Sequence, residues 1–466
     1  VKVLAHLWSL ADCEPAALGR VTETGPRHAL PAVFDVTELA VGAVGAAQLA
    51  AAMLMGGSSV PPVTIDRRHS AIAFRSERLS TIDGRPPPPA WDEASGYYPT
   101  GDGGLIQLHC NFPHHRAGAL AELGIDDPGD DRVRTAISSA VAERDAAELE
   151  QAMTDRGLCA AMLRTPTEWR SHPQGAAVAD LPVVEIERVG DGPARAVGDV
   201  AGTGKVLAGV RVADLSRVIA GPVCGRVLAA HGADVLRIGG PHLPVVEPLL
   251  DDANLGKRWA EVDLRRERGR AELLELVAGG DVVVQGYRPG SLAGLGVGPD
   301  DLFEARPGLV YAGLSAYSHL GPWAKRRGFD SLVQTASGIG AAGAEAAGEP
   351  GTRPLPAQAL DHGAGWLLAF GIITALRRRA DEGGSWRVRT SLVQVSAFLQ
   401  ALGRVDALDV EDPTVDDVLD LLTTTAGNDR VVGHVSLPGR IAERDITWDR
   451  PGSVRGADPL EWATSR

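Results

Sequence analysis

The sequence predicts an α/β fold: a Rossmann-like, mostly parallel sheet with helices, joined to a smaller α+β domain. Three observations carry this. Short β-rich runs bounded by Gly and Pro recur at 206–215 (VLAGVRVADL), 233–238 (ADVLRI), 281–284 (DVVV) and 309–314 (LVYAGL), with helical stretches at 222–231 and 265–278 between them. The first half lacks that alternation. There a strand at 105–109 (LIQLH) is followed by helical patterns at 117–124, 132–145 and 146–156. Finally, two Ala- and Gly-rich helices each open with an aspartate, Asp35 and Asp361.

In chain order, residues 35–55 read as a buried helix and 63–65 as a strand. The proline-rich stretch 85–89 reads as a loop, because proline lacks an amide donor for either ladder. Residues 189–204 (VGDGPARAVGDVAGTG) have little periodicity and read as a linker. A helix runs from Asp361 to about Arg379, and 388–392 (VRTSL) is a strand. The expected division is 1–80, an Asp-loop half-unit packed on the large domain; 81–188, the small domain and a return segment; 189–204, the linker; 205–403, the Rossmann-like domain; and 404–466, a C-terminal return segment, with 435–441 (VSLPGRI) its candidate strand. The two Asp-led helices suggest a repeat. Each has a glycine ten residues on (Gly45, Gly371), then a strand, then an Ala-Phe pair (Ala73-Phe74, Ala397-Phe398).

The net charge of -14 opposes nonspecific attraction to nucleic acid or to an anionic membrane. It leaves room for an anionic small molecule held by a few arginines. No run of ~18 apolar residues predicts a membrane span, and no leader pattern stands at the start. The four cysteines, Cys13, Cys110, Cys159 and Cys224, match no zinc spacing and read as free thiols of a reducing, cytoplasmic compartment. His109, His114 and His115 lack a carboxylate at helical spacing, so no metal site is expected. Neither G-x-S-x-G nor a P-loop is present.

An ordered series of motifs fills the second half. It runs from Asp214-Leu-Ser-Arg-Val218-Ile219-Ala-Gly-Pro222 through Gly232-Ala-Asp-Val-Leu-Arg237-Ile238, Asn254-Leu-Gly-Lys-Arg258 and Gln285-Gly-Tyr-Arg-Pro-Gly290. It continues through Pro307-Gly-Leu-Val-Tyr311, Gly321-Pro322, Phe329-Asp330 and Gln334-Thr-Ala-Ser-Gly338 to Asp361-His-Gly-Ala-Gly365. This series resembles the family III CoA-transferases, the CaiB/BaiF family that includes formyl-CoA and carnitine CoA-transferases. It covers roughly residues 209–398. Segments resembling that family's small domain precede the large domain here, so the chain resembles a rearranged fusion.

The resemblance implies an acyl-CoA:carboxylate CoA-transferase with Asp361 as covalent nucleophile. It implies coenzyme A or acyl-CoA as substrate, no permanently bound cofactor, and a carboxylic acid as the second partner. It places CoA contacts at Val218, Ile219, Arg265, Gly286, Tyr287, Arg327 and Phe329. The family's interlocked dimers imply either a homodimer or an internal pseudo-dimer. An N-cap position for Asp361 would favour its ionised form, and Gly363 and Gly365 would leave room for the thioester. Asp35 has too little chain before it for a nucleotide-binding sheet and reads as a structural N-cap. Two departures matter. Gly239-Gly240 stand where the family often carries an acidic and then a basic residue. Phe329 stands where related racemases carry a histidine base, and a phenyl ring cannot move a proton. A 2-methylacyl-CoA racemase and a catalytically degenerate CoA-binding subunit are the alternatives.

Overall fold

The computed structural model describes residues 2–55, 59–129, 131–197, 205–427 and 429–463. The second part of the expected linker, 198–204, lies outside them. The strand before it runs on to Gly190, two residues into that linker, because it pairs with a sheet edge.

The elements that build the site are, among strands, β1 (Val21–Thr24), β2 (Val63–Asp66), β3 (Glu185–Gly190), β4 (Arg211–Leu215), β5 (Asp234–Gly239), β6 (Arg258–Glu261), β7 (Val282–Gln285), β8 (Val310–Ser315), β9 (Ser385–Ser391), β10 (Arg440–Ile441) and β11 (Arg444–Asp445). The helices are α1 (Lys2–Leu10), α2 (Val36–Met53), α3 (Arg67–Ala73), α4 (Ala220–Ala230), α5 (Asp330–Ala336), α6 (Ala359–Glu382) and α7 (Leu392–Ala401).

The main sheet has the order β6-β5-β4-β7-β8-β9-β3. Its first six strands are parallel and β3 is antiparallel to β9. Strands such as β7 (VVVQ) are buried on both faces, which is why they read as unbroken apolar runs. The edge strand β6 was not legible in the sequence. Its residues, RWAE, are half polar, and its pairing with β5 depends on what covers the sheet edge.

Chain direction across this sheet reverses between β4 and β7. From β4 the chain steps outward to β5 and β6, then returns to β7 and steps the other way. A crevice opens at the carboxyl ends of strands at such a point, and ligands of open α/β sheets bind there.

A second sheet, β1-β2-β10-β11, repeats part of the first. β1 and β2 are parallel, and β10 returns antiparallel on β2, as β3 does on β9. Asp66 caps α3 after β2, and Ser391 caps α7 after β9. Each module receives its return strand from a distant part of the chain. β3 precedes the large sheet, whereas β10 comes near the C-terminus. α2 and α6 pack on each other at the centre of one large apolar cluster. Both are long and apolar enough to span a membrane, yet 89% and 100% of their apolar windows are buried inside the protein.

Residues 96–162 form a small sheet of Gly96–Pro99, Leu105–Leu108 and Ala160–Met162 with its own core of Tyr98, Ile106, Leu120, Ile137 and Leu149.

Candidate active site

The site begins at the carboxyl end of β4. Lys257 Nζ lies 2.7 Å from Asp214 Oδ2 and 2.8 Å from the Pro222 carbonyl, and both side chains are fully buried. The other Asp214 oxygen accepts from the Ser216 amide at 3.1 Å and from its hydroxyl. These bonds fix the loop 216–219 between β4 and α4. Within it Val218 has φ +69°, in the left-handed region that a β-branched residue adopts only under constraint. Such strain is held by its surroundings, and here Val218 sits at the meeting of two cavities.

The first cavity, about 320 Å³, is the switch-point crevice. It is lined by Val218, Ile219, Gly286, Tyr287, Arg327, Phe329 and Asp361, among others. Six of the seven contact positions implied by the resemblance therefore converge here with Asp361. Arg265 does not. It is 60% exposed, bonded to Asp263 at 2.8 and 2.9 Å, and borders an adjoining slot of about 170 Å³ walled by Leu215, Val262, Leu264 and Tyr287. Arg327 is also engaged, donating to the Gly157 carbonyl at 2.9 Å.

The second cavity, about 480 Å³, lies on the other side of Asp361. Pro86 to Pro89, Trp91, Pro248, Leu249, Val218, Ile219 and Phe329 make apolar walls; Glu77, Arg78, His109 and Asn111 add polar groups. Much of this wall comes from the first half of the chain. Sequence reasoning missed Glu77, Trp91 and His109, because nothing local marks them. His109 lies face to face on Phe329, with ring centroids 3.8 Å apart and planes 3° apart.

Asp361 is not the N-cap. It stands in the first turn of α6, which starts at Ala359. The capping acceptor is Asp330, whose Oδ2 takes the Leu360 and Asp361 amides at 2.8 and 2.9 Å while Gln334 Nε2 donates to Oδ1 at 2.5 Å. The expectation of an easily ionised Asp361 is thereby reversed. Burial, then the charges of Asp330 and Glu77, hold its carboxyl well above the usual range. Burial pushes Asp330 up to about 6. The next residue, His362, is buried, stacks on Phe74, and bonds Glu77 at 2.9 Å. The Asp361 turn is thus braced from both halves.

The glycines also serve differently than expected. A Cβ on Gly365 would lie 2.6 Å from the Ala220 carbonyl oxygen and 2.7 Å from Val223 Cβ. One on Gly363 would meet Val395 and Leu39 at 3.1 and 3.3 Å. These glycines let α4, α2 and α7 approach α6; they do not line the thioester space. Asp35 caps α2 through the Glu38 amide at 2.9 Å and borders neither cavity. Among the described residues no group of His, Cys, Asp and Glu could hold a metal ion, and all four cysteines are free and buried.

Residues 207–413 match the model of CoA-transferase family III. An acyl-CoA transferase of Gibberella moniliformis is 30% identical over 394 residues, covering 78% of this chain and 69% of that protein. The chain belongs to CoA-transferase family III. Within this family, the alpha-methylacyl-CoA racemase of Mus musculus is 34% identical over 199 residues, 42% of this chain and 50% of that protein. A crystal structure of a Mycobacterium tuberculosis protein is similar at 34% identity, with a TM-score of 0.39, over 42% of this chain and 55% of that one. The chain spans about half the length of these last two.

Proposed function

We propose that this family III protein is an acyl-CoA:carboxylate CoA-transferase working through a covalent intermediate on Asp361. One observation carries the reading: the Asp361 carboxyl borders both cavities where they meet. A thioester laid across that junction would have its pantetheine in the switch-point crevice and its acyl group among Trp91, Leu249 and Phe329. The Asp361 carboxylate then attacks the thioester carbonyl and expels the CoA thiolate, leaving a mixed anhydride. The thiolate attacks the aspartyl carbonyl and releases the donor acid, giving an aspartyl-CoA thioester. The acceptor carboxylate attacks that thioester, and the thiolate then closes on the acceptor carbonyl, regenerating Asp361. Val218 to Ala220, at the start of α4, line the same crevice as Asp361, and their backbone amides are the donors we assign to the developing oxyanion. The duplicated modules support an internal pseudo-dimer, and free thiols support a cytoplasmic setting.

Racemisation is the second reading, favoured by the imidazole of His109 one ring away from the phenyl of Phe329. Burial drops His109 to about 3, leaving it a poor base for a carbon acid.

The test is turnover with hydroxylamine present, which marks an aspartyl thioester or anhydride as a hydroxamate. The hydroxamate is expected on Asp361. Asp361→Ala should lose transfer and keep CoA binding, whereas Asp35→Ala should keep most of the rate and lose about 1 kcal/mol of stability. Running the assay in deuterated water should give no uptake at the α-carbon. A hydroxamate elsewhere, or full activity in Asp361→Ala, overturns the assignment. Deuterium uptake without acyl exchange would favour the racemase.

A further inference from the structure

Beside the switch-point crevice, three arginines from separate parts of the chain converge on a narrow space at the carboxyl ends of β4, β5 and β6. Arg217 follows β4, Arg237 is in β5, and Arg455 is in the C-terminal segment. The space is about 10 Å³, room for one water-sized group. It shares Leu243 and Tyr287 with both the 320 Å³ crevice and the 170 Å³ slot.

The charge balance there is unusual for a chain of net charge -14. Arg237 is 4% exposed, yet it donates to the neutral Asn254 Oδ1 at 2.7 Å and lies 4.0 Å from the Trp259 ring centre. Arg217 donates to the Pro244 carbonyl and lies 4.6 Å from the Phe112 ring centre. Among the described residues neither has a carboxylate within ion-pair reach. Arg455 pairs with Glu261 at 2.6 Å and donates to the carbonyls of Gly240, Pro241 and Leu243. Among the described residues four cations, Arg217, Arg237, Arg455 and Lys257, thus stand near two carboxylates, Glu261 and Asp214. Burial lowers the pKa of Arg237; the charge of Asp214 opposes this, and the positive charges of Arg217 and Arg455 add to it. Guanidinium groups kept together without matching carboxylates suit an incoming dianion.

The route of Arg455 to this point is built into the fold. The C-terminal segment runs along the open edge of β6. Ser453 donates to the Lys257 carbonyl at 3.0 Å, Asp458 to the Trp259 carbonyl at 3.0 Å, and the Asp458 carboxylate accepts the Trp259 amide at 2.8 Å. Trp462 anchors the end on the Leu276 carbonyl at 2.8 Å. This track carries Arg455 to Gly239 and Gly240, the positions without a basic side chain of their own.

We propose that Arg455, brought in by the C-terminal segment, completes with Arg217 and Arg237 a clamp for a phosphate of the nucleotide end of coenzyme A. The clamp rests on the CoA-dependent reading above. It takes either the 3′-phosphate or the diphosphate, which share the same chemistry. The space holds only a water-sized group as it stands, so a phosphate enters as the partly exposed Arg455 gives up its backbone carbonyls and its pairing with Glu261.

The experiment is calorimetric titration of the full chain with CoA, dephospho-CoA and pantetheine, in wild type, Arg455→Ala and Arg455→Lys. Losing one charge-assisted phosphate contact should weaken CoA by about 10- to 100-fold in Arg455→Ala. The steady-state rate should show KM for acyl-CoA rising with kcat near wild type, and Arg455→Lys should recover part of the loss. Pantetheine, which lacks every phosphate, should bind wild type and Arg455→Ala alike. Loss confined to CoA assigns the 3′-phosphate; equal loss for CoA and dephospho-CoA assigns the diphosphate. Unchanged CoA affinity in Arg455→Ala, or equal weakening of pantetheine, overturns the clamp while leaving the transferase reading intact. A wild-type chain that binds none of the three ligands overturns both.

Discussion

At the residue scale, the informative feature is a pair of carboxyls kept from ionising easily. Asp330 is buried and accepts the amide of Asp361, which is half-buried beside it and borders the same cavity. A carboxylic acid must lose its proton to attack, so the raised Asp361 sets an acid limb on activity. We expect kcat/KM to rise with pH through a limb above the ordinary carboxylate range, and Asp330→Asn to move that limb to lower pH by removing a neighbouring charge. The sign for stability is opposite. A carboxyl whose folded pKa is raised stabilises the fold while protonated, and that contribution is lost as pH rises through the folded value. Asp361→Asn should therefore raise the thermal midpoint at pH 8 more than at pH 5, while abolishing transfer. Equal shifts at both pH values would contradict the burial argument.

At the element scale, α6 is the axle of the molecule. Its twenty-four residues, Ala359 to Glu382, are covered by α2 and α4, and the glycines of its first turns set how close those helices come. Gly365→Ala forces a methyl onto the Ala220 carbonyl and Val223, where α4 starts and the site loop ends. The expected cost is about 1–3 kcal/mol, with a fall in rate because the loop 216–219 must shift. Gly363→Ala meets only flexible side chains at 3.1–3.3 Å and should cost less than Gly365→Ala. Denaturant unfolding of the two variants checks the order, and a larger loss at Gly363 would contradict it.

At the scale of the whole molecule, two modules are threaded through each other. The main sheet takes β3 from the chain before it, and the smaller sheet takes β10 from the chain after it. The site inherits this arrangement. Asp361 and the crevice come from the second half, while Glu77, Trp91 and His109 come from the first. Residues 205–466 produced alone should expose the apolar face of α6 that α2 covers and be largely insoluble. Coproduction with residues 1–197 should restore soluble protein and transfer activity. A soluble, active second half would show that the first-half wall is dispensable.

The sequence by itself determined the α/β class and the central parallel strands, because strands buried on both faces leave unbroken apolar runs such as DVVV and LVYAGL. It also marked Asp361 and most of the switch-point positions, since these keep the order of a motif series that resembles the family. It suggested the repeat, because α2 and α6 share their opening aspartate and spacing. Tertiary structure alone decided the rest. Asp330 takes the cap of α6 from a helix 30 residues away, which no local spacing encodes. Gly363 and Gly365 look like open space in a sequence, but the neighbours that fill that space lie on other helices. Glu77, Trp91, His109 and Arg455 reach the site from elements distant in the chain. A side chain's role in a cavity depends on what the fold sets opposite it, and that opposition is a property of packing across the chain.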